Sequence, residues 1–255
     1  MIVAGIDGGS RAVKVVIYDA ANRQVLARVL RDSGVKVADL ALACLEDACA
    51  RAGLVRSQVE RLVATGYARS VVPGATQRVT EITCHARGVA QLIPGVRAVI
   101  EIGGQDSKAI RLDAAGRVSD FAMNDRCAAG TGRFLEVVAA RLDTNLEGLG
   151  RLASEAVDAA AISSMCVVFA ESEIVGLMAQ GTSRDGIAAG VVASVALRVS
   201  ALAGRDLPAP VAFTGGVALL PGFAQALGKA LGCPVIVPDF PQFSGALGAA
   251  LIAAG

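Results

Sequence analysis

The sequence IVAGIDGGSRAVKVVIYD at residues 2–19 sets the architecture, because the chain repeats its pattern as VRAVIEIGGQDSKAIRLD at residues 96–113. Each copy predicts a strand, a glycine-rich turn and a second strand. With a constant offset of 94 positions and no gap, the copies match at Ile6 and Ile100, Asp7 and Glu101, Gly9 and Gly103, and Lys14 and Lys108. We interpret the match as an internal duplication that divides the chain into two related halves, 1–95 and 96–255.

The rest of the chain predicts alternating strands and helices, which is an α/β pattern. Runs of β-branched residues predict strands at 2–6, 13–18, 24–30, 62–64, 96–102, 107–112, 211–214 and 235–237. Apolar residues on one face predict helices at 37–52, 81–92, 131–142, 171–180, 185–202, 221–231 and 244–253. The helix predicted at 221–231 has Pro221 at its first position.

Composition excludes several classes of protein. Of the 255 residues, 54% are hydrophobic and 18% are charged, which excludes a disordered chain. A net charge of +1 and the absence of tryptophan argue against a nucleic-acid partner. The longest uncharged stretch, 207–228, is broken by prolines, and Met1–Gly9 carries Asp7 but no basic leader. We therefore expect a cytoplasmic protein with no membrane segment.

The glycine turns predict an anion site. A turn without side chains lets backbone N–H groups approach a phosphate closely. Two equivalent turns, each with a carboxylate at Asp7 or Asp106, could hold a polyphosphate from both sides of a cleft, with Mg²⁺ bound through water. A third pair, Gly215-Gly216, again follows a strand and would let a nucleoside lie against backbone. The alternative is that each turn is an ordinary hairpin turn; no P-loop motif is present.

Two of the six cysteines stand out. Cys127 precedes the helix predicted at 131–142, and Cys166 precedes the one predicted from Glu171, so both lie near positive helix ends that stabilise thiolates. A 4Fe-4S cluster takes four thiolates, which two chains with two cysteines each would supply. The residues alone leave metal binding and a buried structural role both open. The other cysteines, Cys44, Cys49, Cys84 and Cys233, are predicted to be small buried hydrophobes.

The chain resembles the actin, sugar-kinase and heat-shock-chaperone ATPase superfamily. Within it, the chain is most similar to the ATP-dependent activators of 2-hydroxyacyl-CoA dehydratases and the ATPase subunits of benzoyl-CoA reductase. The motifs that carry the resemblance are GIDGGS (5–10), IGGQDSK (102–108), MNDRCAAGTGRF (123–134), SSMCVVFAESE (163–173), TGGV (214–217) and PQFSGALGA (241–249). The resemblance implies an α/β, duplicated actin-like (ribonuclease H-like) ATPase fold, with two related halves flanking a nucleotide cleft.

The resemblance also implies a site. The residues expected to bind ATP or ADP are Asp7, Gly8, Gly9, Ser10, Gly103, Gly104, Gly130, Thr131, Gly132, Gly215, Gly216 and Gln242. Gln105 and Asp106 are the candidate catalytic residues, which position the attacking water. Asp7 and Asp106 would hold Mg²⁺ through water, and Cys127 and Cys166 would bind one 4Fe-4S cluster shared by two subunits.

The implied function is ATP hydrolysis that drives a low-potential electron from the cluster to an iron–sulfur partner. That partner is a dehydratase or reductase acting on an acyl-CoA or aryl-CoA, and a ferredoxin or flavodoxin is the donor. The chain would form a homodimer as an activator, or a heterodimer with a related ATPase chain in a benzoyl-CoA reductase. A metal-free sugar or acetate kinase, or an actin-like structural ATPase, is the alternative from another class.

Two positions depart from the family pattern, and several roles stay open. Arg11 stands where the family has threonine, and Glu101 where it has aspartate. The lysines Lys14 and Lys108 either neutralise phosphate or are solvated strand lysines. His85 either orients a group near the cleft or is a hydrogen-bonded structural histidine.

Overall fold

The structure is a computed structural model that describes residues 1–163 and 166–255. Contacts divide the chain into two compact units. The first unit comprises Met1–Val96, Leu112–Ser119 and Pro238–Gly255, and the second comprises Arg97–Arg111 and Asp120–Val237.

Strands and helices alternate along the described residues. The strands are β1 (Ile2–Gly8), β2 (Ala12–Asp19), β3 (Gln24–Asp32), β4 (Val59–Thr65), β5 (Gln77–Arg78), β6 (Ala98–Ile102), β7 (Ser107–Leu112), β8 (Val118–Asn124), β9 (Val211–Thr214) and β10 (Val235–Ile236). The helices are α1 (Val37–Arg51), α2 (Glu81–Leu92), α3 (Gly132–Arg141), α4 (Leu146–Glu155), α5 (Val167–Ala179), α6 (Arg184–Ala203), α7 (Phe223–Leu231) and α8 (Ser244–Ala254).

The described strands form two sheets with the same central arrangement. Their orders are β3-β2-β1-β4-β5 and β10-β9-β6-β7-β8. β1 is antiparallel to β2 and parallel to β4, as β6 is antiparallel to β7 and parallel to β9. The turns match as well, because the Gly9 N–H donates to the Ala12 carbonyl at 3.1 Å and the Gly103 N–H to the Asp106 carbonyl at 3.0 Å. The predicted duplication is therefore present in the backbone, at the same offset.

In the first unit, α1 covers one face of the sheet and α8 covers the other. Helices α2 and α8 cross so closely that only glycine fits at the contact. A Cβ at Gly88 would overlap the Ser244 carbonyl oxygen, and a Cβ at Gly248 would overlap the Cys84 carbonyl oxygen. Because α8 packs on β1, the contacts assign residues 238–255 to the first unit. The division predicted at residue 95 marks where the repeat begins again. The compact units differ from it, because the last residues of the chain pack on the first unit.

In the second unit, α6 lies in the core. Its residues Ile187, Val191 and Val195 are fully buried among the apolar side chains of the sheet and the neighbouring helices. By length and composition alone α6 would pass as a membrane-spanning helix. Its place in the core accounts for its apolar composition.

The predicted elements are found, with differences at five places. Strands β5 and β8 and helix α4 are not predicted from the sequence, because β5 has only two residues, β8 is largely exposed and α4 buries few residues. Helix α5 begins at Val167 rather than Glu171, since its apolar start shows no amphipathic period. Helix α7 begins at Phe223 rather than Pro221, because Gly222 adopts a left-handed conformation (φ 76°) just before it.

Candidate nucleotide site and cysteine pair

The turn between β6 and β7 gathers three buried charged side chains. The Lys108 ammonium donates to Glu101 Oε2 at 2.8 Å and to Asp106 Oδ2 at 2.6 Å. The exposed fractions of Lys108, Glu101 and Asp106 are 2%, 5% and 4%. Glu101 and Lys108 face each other in the strand register, at the positions that correspond to Asp7 and Lys14. Lys108 is thus not a solvated strand lysine; it compensates two carboxylates of its own chain.

These two carboxylates lie over Gly103. A Cβ at this position would be 2.7 Å from Asp106 Oδ1 and 3.3 Å from Glu101 Oε1, so a side chain would displace them. The next residue but one, Gln105, is exposed, whereas Asp106 is buried. The two predicted catalytic residues therefore have opposite environments: Gln105 faces solvent and Asp106 is held by Lys108.

Helix α3 begins on the same turn. The Gly132 N–H donates to the Gly103 carbonyl at 2.9 Å, and the Arg133 N–H donates to the Gly104 carbonyl at 2.8 Å. The first N–H groups of a helix have no partner inside the helix, and here the turn satisfies two of them. This contact brings the predicted nucleotide residues of the 130–132 segment next to those of the 103–104 turn.

The third glycine element also adjoins β6. Gly215 has a φ of 92°, and a Cβ there would be 2.7 Å from Glu101 Oε1. Thr214 lies opposite Glu101 in the parallel ladder, and its Oγ1 is buried with no hydrogen-bond partner among the described residues. In the second unit, the predicted glycines therefore converge at the end of β6.

The first unit carries a similar group around Asp7. Lys14 Nζ lies 3.1 Å from Asp7 Oδ2. Thr65 faces Asp7 in the ladder, and Gly66 has a φ of 89° with its Cβ position 2.5 Å from Asp7 Oδ1. The pair Thr65-Gly66 is not among the residues predicted from the sequence. The signal was a Thr-Gly pair that ends a strand in each half, here and at 214–215.

The only histidine of the sequence, His85, lies beside Asp7 in the first unit. Its Nδ1 is 2.9 Å from Ser244 Oγ, and both side chains are buried. The Cβ position of Gly245 is 3.3 Å from both Asp7 Oδ2 and His85 Nε2, so the two side chains flank this glycine. His85 is thus hydrogen-bonded in the core, as the structural alternative expects.

The remaining predicted residues of the first unit lie at its turns. Gly8 ends β1, Gly9 and Ser10 follow it in the turn to β2, and Gln242 lies in a 3-10 turn just before α8. Arg11, the departure from the family pattern, is exposed and pairs with Asp32 at 3.2 Å.

All six cysteines lie within the described residues, and they differ sharply in exposure. Cys127 and Cys166 are exposed, Cys233 is half-buried, and Cys44, Cys49 and Cys84 are buried. Burial raises the pKa of the three buried thiols, that of Cys84 to about 12. The prediction of buried structural thiols is confirmed for these three. It is wrong for Cys233, which packs against the core of the second unit but is only half-buried.

Each exposed thiol precedes a helix. Cys127 leads into the 3-10 turn Ala128–Gly130 before α3, and Cys166 lies immediately before the first residue of α5. Residues 164 and 165 of the second cysteine motif lie outside the described part of the chain. Within that part, no three His, Cys, Asp or Glu side chains are grouped as a metal site in one chain.

The repeated strand–turn–strand units and their convergent glycines define the class of duplicated actin-like α/β ATPases. The family model of the BadF/BadG/BcrA/BcrD ATPase family matches residues 4–253, so the chain belongs to that family.

Similar proteins align with almost the full length of this chain. The activator of lactoyl-CoA dehydratase from Anaerotignum propionicum is 45% identical over 258 residues, covering 99% of this chain and 97% of the relative. A benzoyl-CoA reductase subunit from Thauera aromatica is 34% identical over 263 residues, covering 98% and 92%. Among solved structures, the activator of the 2-hydroxyisocaproyl-CoA dehydratase from Clostridium difficile with bound ADPNP has a TM-score of 0.93 at 40% identity, covering 100% of this chain and 94% of that one.

Proposed function

We propose that this chain is an ATP-hydrolysing iron–sulfur protein that passes a low-potential electron to a 2-hydroxyacyl-CoA dehydratase. The observation that carries the proposal is that Cys127 and Cys166, which lie in the family motifs, are exposed. The cysteines of α1 and α2, which lie outside those motifs, are buried. An exposed thiol can reach a metal group that is shared with a second chain, whereas a buried thiol cannot. The names of the relatives supply the partner class.

ATP or ADP is the nucleotide, and the glycine turns bind its phosphates through backbone N–H groups. In the second unit this role falls to Gly104, because the Gly103 N–H already donates to the Asp106 carbonyl and Gly103 serves to keep the turn free of a side chain. In the repeat it falls to Gly8 and Ser10, with Gly9 in the place of Gly103 because its N–H donates to the Ala12 carbonyl. Asp106 and Asp7 hold Mg²⁺ through water, which suits a cation that sheds its water reluctantly. Lys108 fixes the Asp106 carboxylate at 2.6 Å, so that carboxylate is oriented before nucleotide arrives. Exposed Gln105 orients the attacking water.

The remaining nucleotide residues follow the family motifs. Gly130 and Thr131 precede α3 and Gly132 begins it, beside the phosphate turn. Gly215, Gly216 and Gln242 accommodate the nucleoside. These assignments rest on the repeat, on the convergence of the second-unit residues and on family membership.

Cys127 and Cys166 are the proposed ligands of the 4Fe-4S cluster, which supplies one-electron chemistry when bound. Two thiolates come from each copy in a homodimer with twofold symmetry. The surface of α5 beside Cys166 supports this arrangement: Val168 and Phe169 are 66% and 69% exposed, and Val175 is 50% exposed. Exposed apolar side chains grouped on one helix are typical of an interface, and a second copy would cover them.

Anaerobic purification tests the proposal. Iron and sulfide analysis should give about four of each per two chains, and light scattering should give the mass of a dimer. The variant Cys166→Ser should lose the iron yet keep nucleotide binding, whereas Cys233→Ser, at a half-buried thiol, should keep both. Nucleotide turnover in a protein that takes up no iron would favour the metal-free kinase or structural ATPase instead.

A second candidate is the ATPase subunit of a benzoyl-CoA reductase, which the identity of 34% to the Thauera aromatica reductase chain supports. In that case a related ATPase chain supplies the other two thiolates and the partner acts on an aryl-CoA. Expression of the chain alone separates the two: a cluster-bearing dimer supports the activator, and a requirement for a sister chain supports the reductase. In both cases we propose a cytoplasmic protein with a ferredoxin or flavodoxin as electron donor.

A further inference from the structure

The backbone of the Cys127 loop is held by side chains. Three successive carbonyls accept a hydrogen bond each: that of Cys127 from Asn124 Nδ2 at 2.8 Å, that of Ala128 from Thr131 Oγ1 at 2.7 Å, and that of Ala129 from Arg198 at 3.1 Å. The Cys127 side chain itself is exposed. The loop therefore presents a thiol to the surface from a backbone whose carbonyls are already bonded.

The Cys127 end of the loop has little packing to hold it. The Cys127 side chain is exposed, and an open cavity of about 220 Å³ borders it, lined by Ser107, Asn124, Arg198 and Leu202. An exposed residue lacks the close contacts that fix a packed side chain. The position of Cys127 therefore depends on the directional bonds that the neighbouring side chains make.

The side chain of Asn124 makes two hydrogen bonds to the backbone of Cys127. Its Oδ1 accepts from the Cys127 N–H at 3.1 Å while its Nδ2 donates to the Cys127 carbonyl. A carboxamide of this length can do both, because it carries a donor and an acceptor on one carbon. Aspartate at the same place would keep the acceptor and lose the donor, and alanine would lose both.

We propose that Asn124 is a positioning residue that sets the orientation of Cys127 as a metal ligand. The inference rests on the proposed iron–sulfur function. Partners that orient a ligand typically change metal affinity by about 10–100-fold when they are removed. Asn124 acts through the Cys127 backbone, so its effect concerns one of the two thiols of each chain.

The metal-free protein provides the first test. In Asn124→Ala the Cys127 amide should exchange with solvent about fivefold faster, since a net hydrogen bond is lost. In Asn124→Asp the same amide should keep its protection, because Oδ1 still accepts. The control is Asn145→Asp, at an exposed asparagine that caps α4 by accepting from the Gly148 N–H. Unchanged exchange in Asn124→Ala would overturn the proposal.

Reconstitution with iron and sulfide provides the second test. Both Asn124 variants should release iron to a chelator about tenfold faster than the unsubstituted protein and should alter its electron paramagnetic resonance spectrum. In Asn124→Asp, which keeps the bond to the Cys127 N–H, the urea midpoint of the metal-free chain should equal that of Asn145→Asp. Iron release and spectra equal to those of Asn145→Asp would overturn the proposal, as would a fall in the urea midpoint of Asn124→Asp that parallels its iron loss. If the unsubstituted protein takes up no iron, the proposed function itself fails. That result differs from the two outcomes that would overturn only the role of Asn124.

Discussion

Replacing Lys108 by methionine removes an ammonium that binds two buried carboxylates, at 2.8 Å from Glu101 and 2.6 Å from Asp106. With 2% of the lysine exposed and 5% and 4% of the two acids, water cannot take its place without opening the turn. Loss of one partner from a buried charge network costs about 3–5 kcal/mol, because the remaining charges stay desolvated. We therefore expect the free energy of unfolding of Lys108→Met to fall by about that amount.

Urea denaturation followed by circular dichroism measures the loss. The matched control is Lys229→Met, the same substitution at an exposed lysine of the same unit. Its free energy of unfolding should stay within about 0.5 kcal/mol of the unsubstituted protein. If Lys108→Met is equally stable, the ammonium does not compensate the two carboxylates, and the account of the turn is wrong. ATP turnover should also fall in Lys108→Met, because Asp106 loses its fixed orientation.

Three further outcomes are expected. Asp106→Asn should suppress ATP hydrolysis by at least about 100-fold in a phosphate-release assay, and unchanged turnover would remove this residue from the site. Gly88→Ala should lower the free energy of unfolding by about 1–3 kcal/mol, because its Cβ would overlap a carbonyl of α8; Gly34→Ala, with open space around it, should not. In metal-free protein, Cys127 and Cys166 should react fast with a thiol reagent at pH 8, while the three buried thiols, whose pKa burial raises, should react only on unfolding. A fast phase that survives serine substitution of both exposed cysteines would contradict this assignment.

Much of the fold could be predicted from local pattern. The repeat of strand, glycine turn and strand needs only neighbouring residues, and its offset of 94 holds in the ladder that pairs Asp7 with Lys14 and Glu101 with Lys108. The start of α5 was misplaced because its first apolar residues carry no helical period. The strand β8 was missed because its mostly exposed residues do not form an apolar run.

The site was only partly accessible from the sequence. The glycine turns and both exposed cysteines were identified from their motifs, which are local. The pairing of His85 with Ser244 was not, because 159 positions separate them and only the crossing of α2 and α8 brings them together. The Thr-Gly pair at 65–66 was missed for a related reason: its link to Asp7 exists only in the parallel ladder.

The duplication, the glycine turns and the membership of two cysteines in family motifs were evident in the amino-acid sequence, because each depends on residues close along the chain. Three other properties came from tertiary packing: Lys108 serves two carboxylates, Cys127 and Cys166 are exposed, and Asn124 holds the Cys127 backbone. Burial and hydrogen bonding between segments set these properties, and they exist only once the chain has packed.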